Sequence, residues 1–266
     1  MTPPEFQSKV EMTFIGTATA ILSIDGVNFI TDPVFDDVGS TYDRGIITLQ
    51  SLEAPALGLH ELPPIDAVLL SHEDHPDNLD AAGRTLLNGR TVITTPDGAS
   101  KLKPRPAVHA IHPWETLSLK IGGKHFDVTG TPCVHLPGGE TTGFIVQTAS
   151  FGTSPEGLPN AIYFSGDTIY LEELAQMRKR FHIVLAILSL GGVILPRPDG
   201  PVQITLDGKS AVKLIQDIGA DVVVPMHFDS WNHFTEPSTE SAKVFVEAGL
   251  KDKVVWLEPG VAKQVL

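Results

Sequence analysis

One cysteine, Cys133, stands in 266 residues. No intrachain disulfide can form, and no paired-Cys zinc motif is available. Basic residues are scarce as well: 19 Lys and Arg face 32 Asp and Glu, for a formal net charge of −13. That balance argues against a Lys/Arg-lined nucleic-acid surface and disfavours docking on an anionic membrane. Long hydrophobic runs are missing. The longest, 183–195, is interrupted by Ser189 and Gly191-Gly192 and is too short to span a bilayer. The first residues, Met1-Thr2-Pro3-Pro4-Glu5, carry no apolar signal core. These absences lead us to expect a cytoplasmic protein that binds neither nucleic acid nor membrane. Two catalytic templates are also missing: no Gly-x-Ser-x-Gly elbow and no Gly-x-x-x-x-Gly-Lys-Ser/Thr loop occurs.

What the chain does have is Ser71-His72-Glu73-Asp74-His75-Pro76-Asp77-Asn78. The apolar run Ile65 to Leu70 before it reads as a buried strand, and Pro76 and Asn78 break regular structure after it. Imidazoles and carboxylates are thus gathered on a loop at a strand end, the nitrogen and oxygen mixture that divalent transition metals take. Three more apolar strands end in the same way: Phe126 to Val134 at His135, Ala161 to Phe164 at Ser165-Gly166-Asp167, and Asp221 to Met226 at His227. One His after a strand means little. Four such ends in one chain point jointly to a metal site.

These motifs, in this order, resemble the metallo-β-lactamase superfamily: a His-x-His-x-Asp-His loop, a distant His, a Gly-Asp and a last His. Phe14-Ile15-Gly16-Thr17-Ala18-Thr19-Ala20 and Thr31-Asp32-Pro33 look like it too. The segment Pro225 to Phe234 is similar to the branch of ascorbate-phosphate lactonases and N-acyl-phosphatidylethanolamine phospholipase D. The resemblance runs from about Met12 to Gly260, and implies one α/β domain over residues 1–266, folded as a four-layer αββα sandwich.

The first loop departs from the family pattern. Without a gap, Pro76 would occupy the Asp position, and proline has no ligand atom. With one inserted residue, His72 and His75 take the two His positions and Asp77 the Asp position, while Asn78 replaces the third His. The resemblance then implies one site of His72, His75, His135 and Asp167, and a weakened second of Asp77, Asp167 and His227. Zinc is the first choice of metal, with manganese or iron(II) as alternatives, at one or two per chain. The implied activity is hydrolysis of an ester, lactone or phosphodiester in a small molecule by metal-bound hydroxide, with Asp77 and His227 as catalytic groups. A non-catalytic metal- or small-molecule-binding protein on the same fold is the alternative. Oligomeric state is left open.

Around this core, Val10 to Thr31 reads as three strands with a turn at Asp25-Gly26. The irregular stretch Pro33 to Pro64 is expected to border the site. Helices are expected at Leu79 to Leu87, at Leu171 to Phe181, after Thr205 as cap, and from Ser238 with Ala242, Phe245 and Val246 inward. A closing strand is expected at Val254 to Leu257. Asp32 is a candidate support for a ligand His. Trp231, His233 and Phe234 are candidate pocket walls, Gly191-Gly192 a place of close approach, and Arg197 a candidate partner for a carboxylate or phosphate.

Overall fold

Alternation within single strands sorts the apolar side chains into separate layers. In Thr142–Gln147, Phe144 and Val146 turn to one side and Ile145 to the other. In Asn160–Phe164, Ile162 and Phe164 oppose Ala161 and Tyr163. The same division holds in Thr19–Ile24, where Leu22 and Ile21 part company. Since strand side chains alternate, two sheets built this way have four apolar faces, which pack into three cores. The computed structural model describes residues 6–45, 47–136, 138–198 and 200–266, so the first five residues read above lie outside it.

One sheet has seven strands, in the spatial order Lys263–Gln264, Val10–Gly16, Thr19–Ile24, Val27–Thr31, Ala67–Leu69, Thr91–Thr94, Val108–Ala110. The other has six: Val222–Met226, His182–Ser189, Asn160–Phe164, Thr142–Gln147, Lys124–Pro132, Thr116–Ile121. Phe29, Leu22 and Met12 of the first meet Phe144, Phe164 and Ile187 of the second in the central layer. The helix Ala81–Leu86 covers the outside of the first sheet through Leu86. Gly208–Ile218 covers the second through Ala211, Leu214, Ile215 and Ile218, joined by Phe245 of Ser238–Glu247. The four-layer αββα sandwich follows from these three cores. His182–Ser189, paired on both edges and buried on both faces, is apolar without alternation, as such strands are.

Strand direction brings the four ligand-bearing ends together. Lys124–Pro132 and Asn160–Phe164 each run antiparallel to Thr142–Gln147, hence the same way as each other. His182–Ser189 and Val222–Met226 continue in that direction. The chain therefore leaves three of these strands, toward His135, Asp167 and His227, at one edge of the sandwich. In the first sheet Val27–Thr31 and Ala67–Leu69 are parallel, so Asp32 and the His72 loop leave side by side.

Several boundaries differ from the sequence reading. The cap of the 208–218 helix is Asp207, in a reciprocal pair with Ser210, not Thr205. Thr205 instead bonds the backbone of Val193. Residues 171–181 split into a tight turn, Glu172–Gln176, and one turn of helix, Met177–Arg180. Val246 faces out, and Ser241 takes the inward place beside Phe245. Only Val254 pairs in the expected closing strand, through one bridge to Val223. Pro33 to Pro64 contains a short hairpin, Thr41–Asp43 with Thr48–Gln50.

Candidate metal centre

Three imidazoles meet at the strand ends: ligand atoms of His72, His75 and His135 lie within 4.8 Å of one another, all buried. His72 Nε2 is 2.9 Å from His75 Nδ1, and His135 Nε2 is 3.2 Å from the same atom. Partners on the far side of two rings fix their protons. His135 Nδ1 stands 2.7 Å from the carbonyl of Ile204, which only accepts, so that nitrogen carries the hydrogen. Ser71 Oγ gives its proton to Asp32 Oδ2 and so accepts from His72 Nδ1, 2.8 Å away. The Nε2 atoms of His72 and His135 are then bare lone pairs, and the single hydrogen His75 Nδ1 could offer cannot satisfy both. A cation between the three rings would. Burial and the neighbouring imidazoles hold His72 well below the usual histidine range, and burial with His135 lowers His75. Both are therefore unprotonated at neutral pH, the form a metal needs.

The inserted residue of the loop has its own anchor. Glu73 is buried and ion-paired to Arg84 at 2.8 Å and Lys101 at 3.0 Å, which turns it away from the imidazoles. His75, not the half-buried Asp74, joins His72 and His135. Asp80 ends the loop by accepting from Gly83 at 2.6 Å and Phe35 at 2.5 Å.

Beside this group lies a second. Asp77 Oδ2 is 3.6 Å from His227 Nε2 and 3.1 Å from His233 Nε2, and Asp167 Oδ2 is 3.3 Å from His227 Nε2. All four side chains are buried. Burial opposes the charge on Asp77, but His227 and His233 outweigh it and hold the carboxyl well below its usual range. His227 is pulled down by burial yet lifted by Asp167 and Asp77, to about 9. Among the described residues, both Asp167 oxygens, His227 Nε2 and His233 Nδ1 have no hydrogen-bond partner. Leaving such atoms buried and unmatched costs about 1–3 kcal/mol each, large beside a net stability of about 5–15 kcal/mol. A divalent cation matches this donor set of carboxylate oxygens and imidazole nitrogens.

The sequence reading shared Asp167 between the three imidazoles and the group of Asp77 and His227, and left His233 among the pocket walls. In the structure the nearest ionic neighbour of Asp167 is His227, while its charge still reaches His75. His233 stands against Asp77. Asn78 does not face the site in place of the family's third His; its amide donates to Asp32 Oδ2 at 3.0 Å. Gly191 does not approach a ligand space either. A Cβ there would meet the carbonyl of His227 at 2.8 Å and the ring of Phe234 at 3.0 Å, so the glycine lets two loops pack closely. Non-glycine residues hold left-handed backbone at Thr17, Asp32, His227 and Asp229, a strain that clusters where a site is built. Thr17, read in the sequence only as part of the 14–20 motif, matters because its carbonyl accepts from His227 N at 2.7 Å and its hydroxyl from Trp231 Nε1 at 3.0 Å.

Above the two groups opens a cavity of about 240 Å³. Its walls are Ile47, Leu49, Leu136, Val193, Leu195 and Ile204, its floor includes His75, Asp77, Asp167 and His233, and Arg44 and Arg197 also line it.

The model of the beta-lactamase superfamily domain matches residues 27–228. The chain belongs to the beta-lactamase superfamily. It is 28% identical to a UPF0173 metal-dependent hydrolase of Anaeromyxobacter sp. (strain K), over 97% of this chain and 88% of that one. It is 25% identical to the mitochondrial N-acyl-phosphatidylethanolamine-hydrolyzing phospholipase D of Saccharomyces cerevisiae, over 93% of this chain and 54% of the yeast protein. Among solved structures, an isothiocyanate hydrolase from Delia radicum gut bacteria superposes with a TM-score of 0.76 at 18% identity, covering 95% of this chain and 98% of that one. This superfamily member is thus placed among metal-dependent hydrolases of the metallo-β-lactamase fold. No helix among the described residues is long and apolar enough to cross a membrane.

Proposed function

We propose that the protein hydrolyses an ester, lactone or phosphodiester bond in a small molecule that carries an apolar portion and an anionic group. One observation carries the reading: bare imidazole nitrogens and unmatched Asp167 oxygens sit at the floor of a 240 Å³ cavity whose walls are aliphatic and which two arginines line. A divalent cation, zinc first, with manganese or iron(II) as alternatives, would lower the pKa of water to about 7 and polarise the scissile oxygen. His72, His75 and His135 would hold it, with Asp77, Asp167 and His227 beside them.

The chain's own groups supply the rest. Asp77, kept ionised by His227 and His233, accepts a hydrogen bond from the attacking water and orients it. His227, with Nδ1 facing the carbonyl of Leu190 at 3.2 Å, points Nε2 inward beside Asp77 and Asp167, where it would help to hold a cation next to the scissile oxygen. Leu49, Leu136, Val193, Leu195 and Ile204 take the apolar portion and keep bulk water from the reacting bond. Arg44 and Arg197 are the groups in the lining that suit a carboxylate or phosphate.

The test is a hydrolase panel on zinc-loaded protein: p-nitrophenyl esters, N-acyl and sugar lactones, and bis(p-nitrophenyl) phosphate with alkyl analogues. Turnover of an anionic member, lost on chelation, is expected. A panel flat across all three classes with metal bound would overturn the reading.

A further inference from the structure

Asn78 brings no imidazole to the loop, and its amide nitrogen is committed to Asp32. The Asp77 side of the site nevertheless has two imidazoles, from His227 and His233. We propose that His233 is a cation ligand, so that Asp77, Asp167, His227 and His233 form a complete second site with four protein donors. The inference rests on the metal-hydrolase reading above and goes beyond it in the number of sites and in a residue that the loop motif does not contain.

The segment 227–234 is built to deliver this ring. Left-handed backbone at His227 and Asp229 folds the chain back sharply after Val222–Met226. Asp229 is held by Ser238 N at 3.0 Å and Ser238 Oγ at 2.5 Å. Trp231 is buried with its indole on Thr17, and Asn232 is tied to Gln50 and Thr48 by three hydrogen bonds. The ring between these anchors is His233, 8% exposed. The Phe234 ring lies 4.6 Å from both the His227 and the His233 ring centres, so one aromatic ring packs against both imidazoles. His233 Nε2 then lies 3.1 Å from Asp77 Oδ2, on the same oxygen that His227 approaches. Two imidazoles on one carboxylate oxygen, beside an Asp167 whose oxygens accept nothing, make up two carboxylates and two imidazoles, which suits a second divalent cation. A solvated surface His at this point would be neither buried nor caged by Trp231 and Phe234.

Cobalt(II) titration of metal-stripped protein, followed by visible absorption and by elemental analysis after gel filtration, tests this. Wild type is expected to retain two cobalt ions per chain. His233→Ala and His233→Gln are expected to retain one, with the second site weakened at least tenfold and the absorption of the first unchanged. His72→Ala should lose the other ion. Circular dichroism and thermal melting on each variant establish folding, and His233→Gln, close in size, answers for packing. Two ions retained by both His233 variants at wild-type affinity would overturn the proposal and leave the hydrolase reading standing. A single ion in wild type would also overturn it. No ion in wild type would overturn both.

Discussion

Asp32 reaches His72 through one hydroxyl: Ser71 Oγ donates to Asp32 Oδ2 at 2.6 Å and accepts from His72 Nδ1 at 2.8 Å. The other Asp32 oxygen accepts from Ser71 N at 2.6 Å, so one carboxylate fixes both the backbone and the ring of the metal loop. Burial and the nearby Asp167 push Asp32 up to about 7 against these donors. Orienting contacts of this kind are worth about 10–100-fold in metal affinity. Ser71→Ala is expected to weaken zinc binding at the three-imidazole group by about tenfold, and Asp32→Asn by more, since it also frees Asn78. Competition against a zinc indicator measures both, and wild-type affinity in Asp32→Asn would refute the relay.

His227 gives the metal-stripped protein a pH dependence of defined sign. Its folded value, about 9, lies above the unfolded value of about 6.5. The folded state binds the extra proton, so the contribution to stability is complete below about 6.5 and is lost as pH rises through 9. Melting temperature of stripped protein should fall by roughly 5 °C between pH 7 and 9. His227→Gln should flatten that slope, and zinc should flatten it too, because the cation replaces the proton. Thermal scans at four pH values check this.

His75 and Asp74 compete for one role in the loop, and geometry separates them. His75 touches both partner rings, whereas Asp74 only adds charge nearby. His72→Ala and His75→Ala should each abolish tight zinc binding, and Asp74→Ala should change it less than about threefold. Elemental analysis after dialysis gives the answer; metal loss in Asp74→Ala with retention in His75→Ala would favour the ungapped loop.

The arginines in the cavity lining make selectivity measurable. Arg44→Ala and Arg197→Ala are expected to raise KM for anionic substrates about tenfold, the size of one charged hydrogen bond. Values of kcat, and KM for neutral esters of the same length, should stay within about twofold. Equal loss on neutral and anionic substrates would mean that the side chains pack rather than recognise charge.

Much of this was legible in the sequence because the pattern was local. Strand alternation, the Asp25-Gly26 turn and each of the four strand-end clusters are patterns of a few neighbouring residues, and the αββα order came from the family resemblance that those clusters carry. His72, His75, His135, Asp77, Asp167 and His227 come together as two adjoining groups because parallel strands bring their ends to one edge. Pro76 spoke against the ungapped loop, although nothing in the sequence showed Glu73 held by Arg84 and Lys101. His233 was passed over for the opposite reason. Its place depends on two left-handed residues and on contacts from Trp231 to Thr17 and Asn232 to Gln50, more than 180 positions away. The cap at Asp207 was missed because Thr205 carries the same chemistry two residues earlier. The Pro33–Pro64 stretch has no period, yet Arg44, Ile47 and Leu49 from it line the cavity.

The most direct test of the central claim joins metal content to turnover in one preparation. Protein expressed with zinc supplied is divided into untreated, chelated and zinc-restored samples, each analysed for metal and assayed on the ester, lactone and phosphodiester panel across pH 5–9. The account predicts at least one zinc per chain, hydrolysis that disappears on chelation and returns with zinc, and a rate rising with pH through a value near 7. Protein without metal, or hydrolysis indifferent to chelation, would contradict it.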